Sequence, residues 1–116
     1  MSHQIKIFHN PMCSKSRQAL QLLRENGIDP VVIEYLNGPP TTSEISVLID
    51  QLGIEAHDLL RSKEDEYKEA NLSRDSSRDE IIEAIAANPI LLERPVVVNG
   101  DKAAIGRPPE KVLEIL

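Results

Sequence analysis

The pattern of apolar and polar positions over the first 35 residues predicts a strand, a helix and a second strand. Ile5–Phe8 is short and mostly apolar, as a buried strand would be. From Ser14 to Asn26 the apolar residues recur on one helical face, and Gly27 follows where a C-terminal cap belongs. Val31–Tyr35 is again strand-like, so we expect a right-handed parallel crossover between the two strands.

The middle of the chain carries helical signals. Two Ser/Thr residues are each followed three positions later by Glu, which predicts a capping box at a helix start: Thr41 with Glu44, and Ser77 with Glu80. Gly53 predicts the end of the first of these helices, and the second is expected over Asp79–Ala87, stopped by Asn88-Pro89. A short helix is expected over His57–Ser62.

The last quarter of the chain predicts two more strands and a helix. Arg94–Val98 reads as a third strand, and Asn99-Gly100 is a strong hairpin signal. Ala103–Ile105 is expected to pair back as the fourth strand. Gly106–Pro109 then leads into a final helix with a proline in its first turn.

This order of elements is typical of one α/β architecture, the thioredoxin-like fold. It predicts a mixed four-stranded sheet with a helical insertion at about residues 41–90. A chain of 116 residues suits a single domain, so we expect one thioredoxin-like domain over residues 1–116.

Composition and charge exclude several classes of function. The formal net charge of -6 argues against a nucleic-acid-binding surface, which would need a basic face. No apolar run approaches the ~20 residues that cross a bilayer, and Met1–Gln4 lacks the plan of a signal peptide. We therefore expect a cytoplasmic protein in a reducing environment.

The single cysteine, Cys13, is the strongest candidate for chemistry. One cysteine allows no intrachain disulfide and no zinc or iron–sulfur site built on several cysteines, and we expect no bound metal or cofactor. A lone cysteine is often only a small buried apolar residue. Cys13, however, falls between a strand end and a helix start, where free amides and the helix dipole favour a thiolate.

Two cations follow Cys13 in the first helical turn. Lys15 and Arg17 oppose the helix dipole there, at a cost of roughly 0.3–1 kcal/mol each unless an anion offsets them. The anion would be the Cys13 thiolate, a bound oxyanion or both. The alternative is that both side chains are solvated and point away from the helix axis.

Ser16 and His9 flank the cysteine on either side. Ser16 occupies the position where a Cys-x-x-Cys motif has its resolving thiol, and its hydroxyl is placed to hydrogen-bond the thiolate. A second thiol must then come from another molecule. His9 is placed to assist proton transfer or to stabilise the thiolate, although a loop histidine with local hydrogen bonds fits equally well.

Four separated motifs resemble the glutaredoxin-coupled arsenate reductase family. His9–Arg17 resembles the active-site loop of that family. Leu59–Arg61, Glu93–Val98 and Ile105–Pro108 follow in the family's order and spacing. The resemblance spans Ile5–Leu116. One departure is Ser14-Lys15, where the best-studied members carry Gly-Thr, and the sequence is most similar to a shorter, arsenate-reductase-like branch.

The resemblance implies a reaction and a set of site residues. Cys13 would attack arsenate, glutathione would serve as co-substrate, and glutaredoxin would complete the reduction to arsenite. Three arginines would bind the arsenate: Arg61, Arg94 and Arg107. Guanidinium groups suit this role because they bind oxyanions bidentately and keep their proton. Lys15 and Arg17 would attract the carboxylates of glutathione, and the Arg94–Pro95 bond is expected to be cis.

Two alternatives remain open. A glutathione-dependent thiol reductase with another substrate would use the same cysteine. A regulator of the Spx type shares this fold and acts by binding RNA polymerase, but such proteins typically carry Cys-x-x-Cys, and Ser16 stands at the second cysteine position here.

Overall fold

The computed structural model describes residues 4–116. The chain forms two compact units: the first comprises the chain up to Gly38 together with Arg94–Leu116, and the second is Pro39–Glu93. Within residues 4–116 no helix has the length and apolar character to cross a membrane. Residues 1–3, part of the segment compared above with a signal peptide, lie outside the described range.

A four-stranded mixed sheet forms the centre of the first unit. Its strands are β1 (Lys6–Phe8), β2 (Val31–Ile33), β3 (Val96–Asn99) and β4 (Lys102–Ile105), in the spatial order β2-β1-β3-β4. β1 is parallel to β2 and antiparallel to β3, and β3 and β4 form the expected hairpin. The thioredoxin-like sheet predicted from the order of elements is confirmed.

Helix α1 (Ser14–Glu25) and a 3-10 helix over Pro109–Ile115 pack together in the same unit. Their apolar faces join the sheet in one aliphatic core of six buried residues: Ile7, Ala19, Leu20, Leu23, Val97 and Val112. Burying an aliphatic side chain of this size contributes about 1.5–3 kcal/mol. This core fixes the start of α1, where Cys13 lies, against the sheet.

Three strands are shorter than their apolar patterns predict, and β1 begins at Lys6 instead of Ile5. β2 ends at Ile33 instead of Tyr35, because the chain turns there and the N–H groups of Asn37 and Gly38 both donate to the carbonyl of Glu34. β3 begins at Val96 instead of Arg94, after Pro95, which has no N–H to donate to a strand ladder.

The second unit is helical, as the capping boxes predict. It contains α2 (Thr42–Leu52), α3 (Asp65–Glu69) and α4 (Arg78–Ala87), with 3-10 helices over Ala56–Leu59 and Pro89–Leu91. Both capping boxes are formed, and Gly53 adopts the left-handed conformation that ends α2.

Helix α3 was not predicted, because none of its residues is buried and it therefore has no apolar period to detect. The short helix expected over His57–Ser62 is a 3-10 turn that begins at Ala56 and ends at Leu59. It ends there because Leu60 pairs with Leu92 in an isolated antiparallel bridge.

Candidate active site

The loop between β1 and α1 is organised by Asn10, a buried residue that sequence analysis did not select. Its carbonyl accepts a hydrogen bond from the N–H of Cys13 at 3.0 Å, and its Oδ1 accepts one from the N–H of Met12 at 3.0 Å. Its own N–H donates to Ser16 Oγ at 3.0 Å. An Asn-Pro turn is the local signal that could have identified it, since Asn side chains often bond to backbone two residues on.

Cys13 is the N-terminal capping residue of α1 and has an extended backbone. Its carbonyl accepts the first helical hydrogen bond, from the N–H of Arg17 at 3.0 Å. Its sulfur is half-buried. The sulfur therefore lies at the positive end of the helix dipole, where negative charge is stabilised.

The surroundings of this sulfur favour the thiolate. Burial, the largest single effect, raises the pKa of the Cys13 thiol. Hydrogen bonds from the backbone N–H groups of Ser16 and Lys15, with the hydrogen bond and positive charge of Arg94, outweigh burial and leave the pKa below its usual value. A lowered pKa agrees with the thiolate that the position of Cys13 in the sequence predicts.

Two of the three predicted arginines meet at Cys13. The guanidinium of Arg94, a half-buried residue, hydrogen-bonds the sulfur. Arg107 is exposed, and its Nη2 lies 3.8 Å from Cys13 Sγ. The Nε of Arg107 donates to the carbonyl of Arg94 at 2.7 Å, which ties the two arginines together.

Arg61, the third predicted arginine, belongs to the second compact unit. Its backbone N–H donates to the carbonyl of Leu91 at 2.8 Å, and its Nε donates to Glu64 at 3.1 Å. Its Nη1 is buried and has no hydrogen-bond partner within residues 4–116.

The hydroxyl of Ser16 does not make the hydrogen bond to Cys13 that the sequence predicts. Its Oγ shares a 2.6 Å hydrogen bond with His9 Nδ1 and accepts from the N–H of Asn10, so the hydroxyl is not directed at the thiolate of Cys13. The backbone N–H of Ser16 contacts the sulfur instead. The reason is burial: the side chain of Ser16 is fully enclosed and satisfies the buried polar groups of the loop.

His9 is buried beside Ser16. Burial is the main cause that lowers the pKa of His9; Glu34 opposes the shift, and the nearby Arg24 and Arg17 add to it. A neutral imidazole carries no charge to stabilise a thiolate. Of the two roles considered for His9, proton transfer fits this environment better than electrostatic stabilisation of the thiolate.

Lys15 and Arg17 are both exposed. Arg17 folds back over the loop, and its Nη1 donates to the carbonyl of Pro11 at 2.8 Å. Lys15 acts on the sulfur of Cys13 through its backbone N–H.

The Arg94–Pro95 peptide bond is cis, which confirms the expectation, and Arg107–Pro108 is also cis. The N–H of Gly106 donates to the carbonyl of Pro95 at 2.8 Å. A Cβ atom at Gly106 would lie only 2.8 Å from the Pro95 ring. This position therefore favours glycine, because the Pro95 ring lies where a β-carbon would be.

The geometry places the Cys13 sulfur beside two guanidinium groups and two backbone N–H groups. That is the set of donors needed to bind a tetrahedral oxyanion next to a thiolate. Within residues 4–116, no three His, Cys, Asp or Glu side chains are grouped as metal ligands would be.

Comparison with known proteins identifies the family of this chain. The model of the ArsC family matches residues 8–115. An Escherichia coli protein named "Uncharacterized protein YfgD" is 52% identical over 118 residues, covering 100% of this chain and 99% of that protein. A protein of Neisseria meningitidis serogroup A named "Arsenate reductase" is 48% identical, covering 97% and 98%. A solved structure described as "Arsenate reductase from Vibrio cholerae" is 47% identical and superimposes with a TM-score of 0.95. The match covers 100% of this chain and 100% of that chain. The chain belongs to the ArsC family.

Proposed function

We propose that this protein reduces arsenate to arsenite through a covalent adduct on Cys13, with glutathione and glutaredoxin supplying the outside thiols. The observation that carries the proposal is the contact of Cys13 Sγ with two guanidinium groups, those of Arg94 and Arg107. Family membership and relatives named arsenate reductase support the same substrate.

The first step forms a sulfur–arsenic bond. The Cys13 thiolate attacks arsenic, one arsenic–oxygen bond breaks, and the departing oxygen takes up protons and leaves as water. The arsenic remains As(V) in this step. The guanidinium groups of Arg94 and Arg107 stabilise the negative oxygens before and during attack, which lowers the barrier.

The second thiol must come from another molecule, because Cys13 is the only cysteine in the chain. The sulfur of glutathione bonds to the arsenic of the adduct, and a second oxygen leaves as water. A glutaredoxin thiolate then attacks the glutathione sulfur, forming a glutaredoxin–glutathione disulfide. The electron pair of the broken sulfur–arsenic bond stays on arsenic, which becomes As(III). Water then hydrolyses the remaining bond, releasing arsenite and Cys13.

Three residues keep predicted roles in this scheme. Arg61 is proposed as a further arsenate ligand on the basis of the family resemblance. Lys15 and Arg17 are proposed to attract the glutathione carboxylates, since both cations are exposed near the nucleophile.

The test is arsenite formation by the purified protein with arsenate, glutathione, glutaredoxin and a glutathione-regenerating system. We expect turnover that depends on all three components and that Cys13→Ser abolishes. No arsenite from a protein whose Cys13 still alkylates rapidly would contradict the proposal. Reduction of a glutathione mixed disulfide without any activity on arsenate would instead identify a thiol reductase. Retention of RNA polymerase subunits by an inactive protein would identify a regulator.

A further inference from the structure

Asn10 is a buried polar residue whose hydrogen bonds all lie within the loop that carries Cys13. It is only 8% exposed, and within residues 4–116 its partners are Met12, Cys13 and Ser16. These partners lie on both sides of the Cys13 side chain along the sequence. The reaction steps proposed above assign no role to Asn10.

The side chain of Asn10 closes the turn that precedes the cysteine. Its Oδ1 accepts a hydrogen bond from the N–H of Met12 at 3.0 Å, two residues on, as an asparagine does in an Asx turn. The backbone carbonyl of Asn10 accepts from the N–H of Cys13 at 3.0 Å. One residue therefore holds two successive N–H groups, which fixes the direction in which the chain enters helix α1.

The backbone N–H of Asn10 reaches across the loop to the other side of the cysteine. It donates to Ser16 Oγ at 3.0 Å, and the same oxygen shares the 2.6 Å hydrogen bond with His9 Nδ1. Ser16 is fully buried, and its own backbone N–H is one of the two that hydrogen-bond the Cys13 sulfur. Asn10 is thus bonded both to the turn before the sulfur and to the residue that donates to it.

The sulfur depends on the exact path of this loop. Cys13 is the N-terminal capping residue of α1, and the N–H groups that hydrogen-bond its sulfur belong to Lys15 and Ser16. These are the second and third helical residues, whose N–H groups a capping side chain normally accepts from. Both bonds require the backbone of Cys13 to keep its orientation. A displacement of about 1 Å in a reacting group can lower a rate by up to about a hundredfold.

We propose that Asn10 is a positioning residue for Cys13, acting through the hydrogen bond of its side-chain oxygen; its effect on turnover rests on the proposed function. By closing the turn before Cys13, this oxygen keeps the sulfur aligned with the two backbone donors that follow it. The guanidinium groups of Arg94 and Arg107 reach the sulfur from other parts of the chain. Asn10 therefore acts on the nucleophile and leaves the binding of arsenate to the arginines.

The test removes the side-chain oxygen and measures the thiol directly. Asn10→Ala should slow the alkylation of Cys13 by iodoacetamide and move the midpoint of its pH profile upward. Asn10→Ser keeps an oxygen that forms the same turn more weakly, so its profile should fall between those of Asn10→Ala and wild type. Ser77→Ala is the matched control, because it also removes the side-chain acceptor of one backbone N–H, that of Glu80, in the second unit. It should lower the stability and leave the alkylation profile unchanged.

In the arsenate assay, Asn10→Ala should lower kcat by about ten- to a hundredfold and leave the KM for arsenate nearly unchanged. A wild-type alkylation profile in Asn10→Ala would overturn the inference, as would an equal change of profile in Ser77→Ala. Should Asn10→Ala fail to fold, Asn10→Ser decides, and an unchanged midpoint in that variant would overturn the inference. An altered profile in a protein that forms no arsenite would support the role of Asn10 and overturn arsenate reduction.

Discussion

Arg107 donates a 2.7 Å hydrogen bond from its Nε to the carbonyl oxygen of Arg94. Its Nη2 meanwhile reaches the sulfur of Cys13 at 3.8 Å. One guanidinium group therefore fixes the backbone of the other arginine and faces the nucleophile. A lysine ammonium is a point charge on a flexible chain and does not provide this planar fork.

These two contacts of Arg107 predict that Arg107→Lys will lose almost as much kcat/KM for arsenate as Arg107→Ala. We expect both to lower kcat/KM for arsenate by about ten- to a hundredfold, which corresponds to about 1.5–3 kcal/mol for a lost charged hydrogen bond. The Tm should change little because Arg107 is exposed. Steady-state kinetics and thermal unfolding measure the two effects. Wild-type activity in Arg107→Lys would show that charge alone is sufficient.

The lowered pKa of Cys13 predicts rapid alkylation below the pH range of an ordinary thiol. The rate with iodoacetamide follows the thiolate fraction, so its midpoint should fall below that of free cysteine measured in parallel. Arg94→Ala should move the midpoint upward, because the guanidinium stabilises only the thiolate. Arg74→Ala serves as the control for a lost surface charge. Superimposable pH profiles for wild type and Arg94→Ala would refute the contribution of Arg94.

The hydroxyl of Ser16 is predicted to stabilise the fold. Ser16→Ala would leave His9 Nδ1 and the N–H of Asn10 without their buried partner. Each group left unsatisfied costs about 1–3 kcal/mol, so a clear decrease in the free energy of unfolding is expected in urea denaturation. Ser14→Ala is the matched control, since Ser14 is exposed in the same helical turn. Equal losses in the two variants would show that the hydrogen bonds of Ser16 contribute nothing specific.

Gly106→Ala should destabilise the protein because its Cβ would lie 2.8 Å from Pro95 and 3.2 Å from Val112. Overpacking of this kind typically costs about 1–3 kcal/mol. Gly38→Ala is the comparison, because a Cβ there would meet nothing within 4 Å. The free energy of unfolding of both variants can be measured by denaturant titration. Gly106→Ala with wild-type stability would show that the chain relaxes around the added methyl group.

The absence of a second cysteine predicts which reductant supports turnover. Glutathione with glutaredoxin should give full activity, whereas thioredoxin with its reductase alone should give little, because one chain cannot form an internal disulfide. The comparison uses the same arsenate assay with the two reducing systems. Full activity with thioredoxin and no glutathione would contradict the mechanism, and a disulfide between two copies of the protein through Cys13 would then be expected.

Features encoded within a few consecutive residues could be predicted from the sequence. The capping boxes at Thr41 and Ser77 depend on a partner three positions away, and the Asn99-Gly100 hairpin depends on its own backbone preferences. The position of Cys13 at the start of α1 follows from the change of period between β1 and the helix. By itself, therefore, the sequence determined the order of elements and the place of Cys13 at a helix start.

The contacts around that nucleophile were decided by tertiary structure. Arg107 is 94 positions from Cys13 along the chain, and only the pairing of β1 with β3 and of β3 with β4 brings them together. No local pattern distinguishes such an arginine from a solvated one; the family resemblance alone suggested it. The hydroxyl of Ser16 likewise turns to His9 because burial requires enclosed polar atoms to find partners, and burial depends on the whole fold.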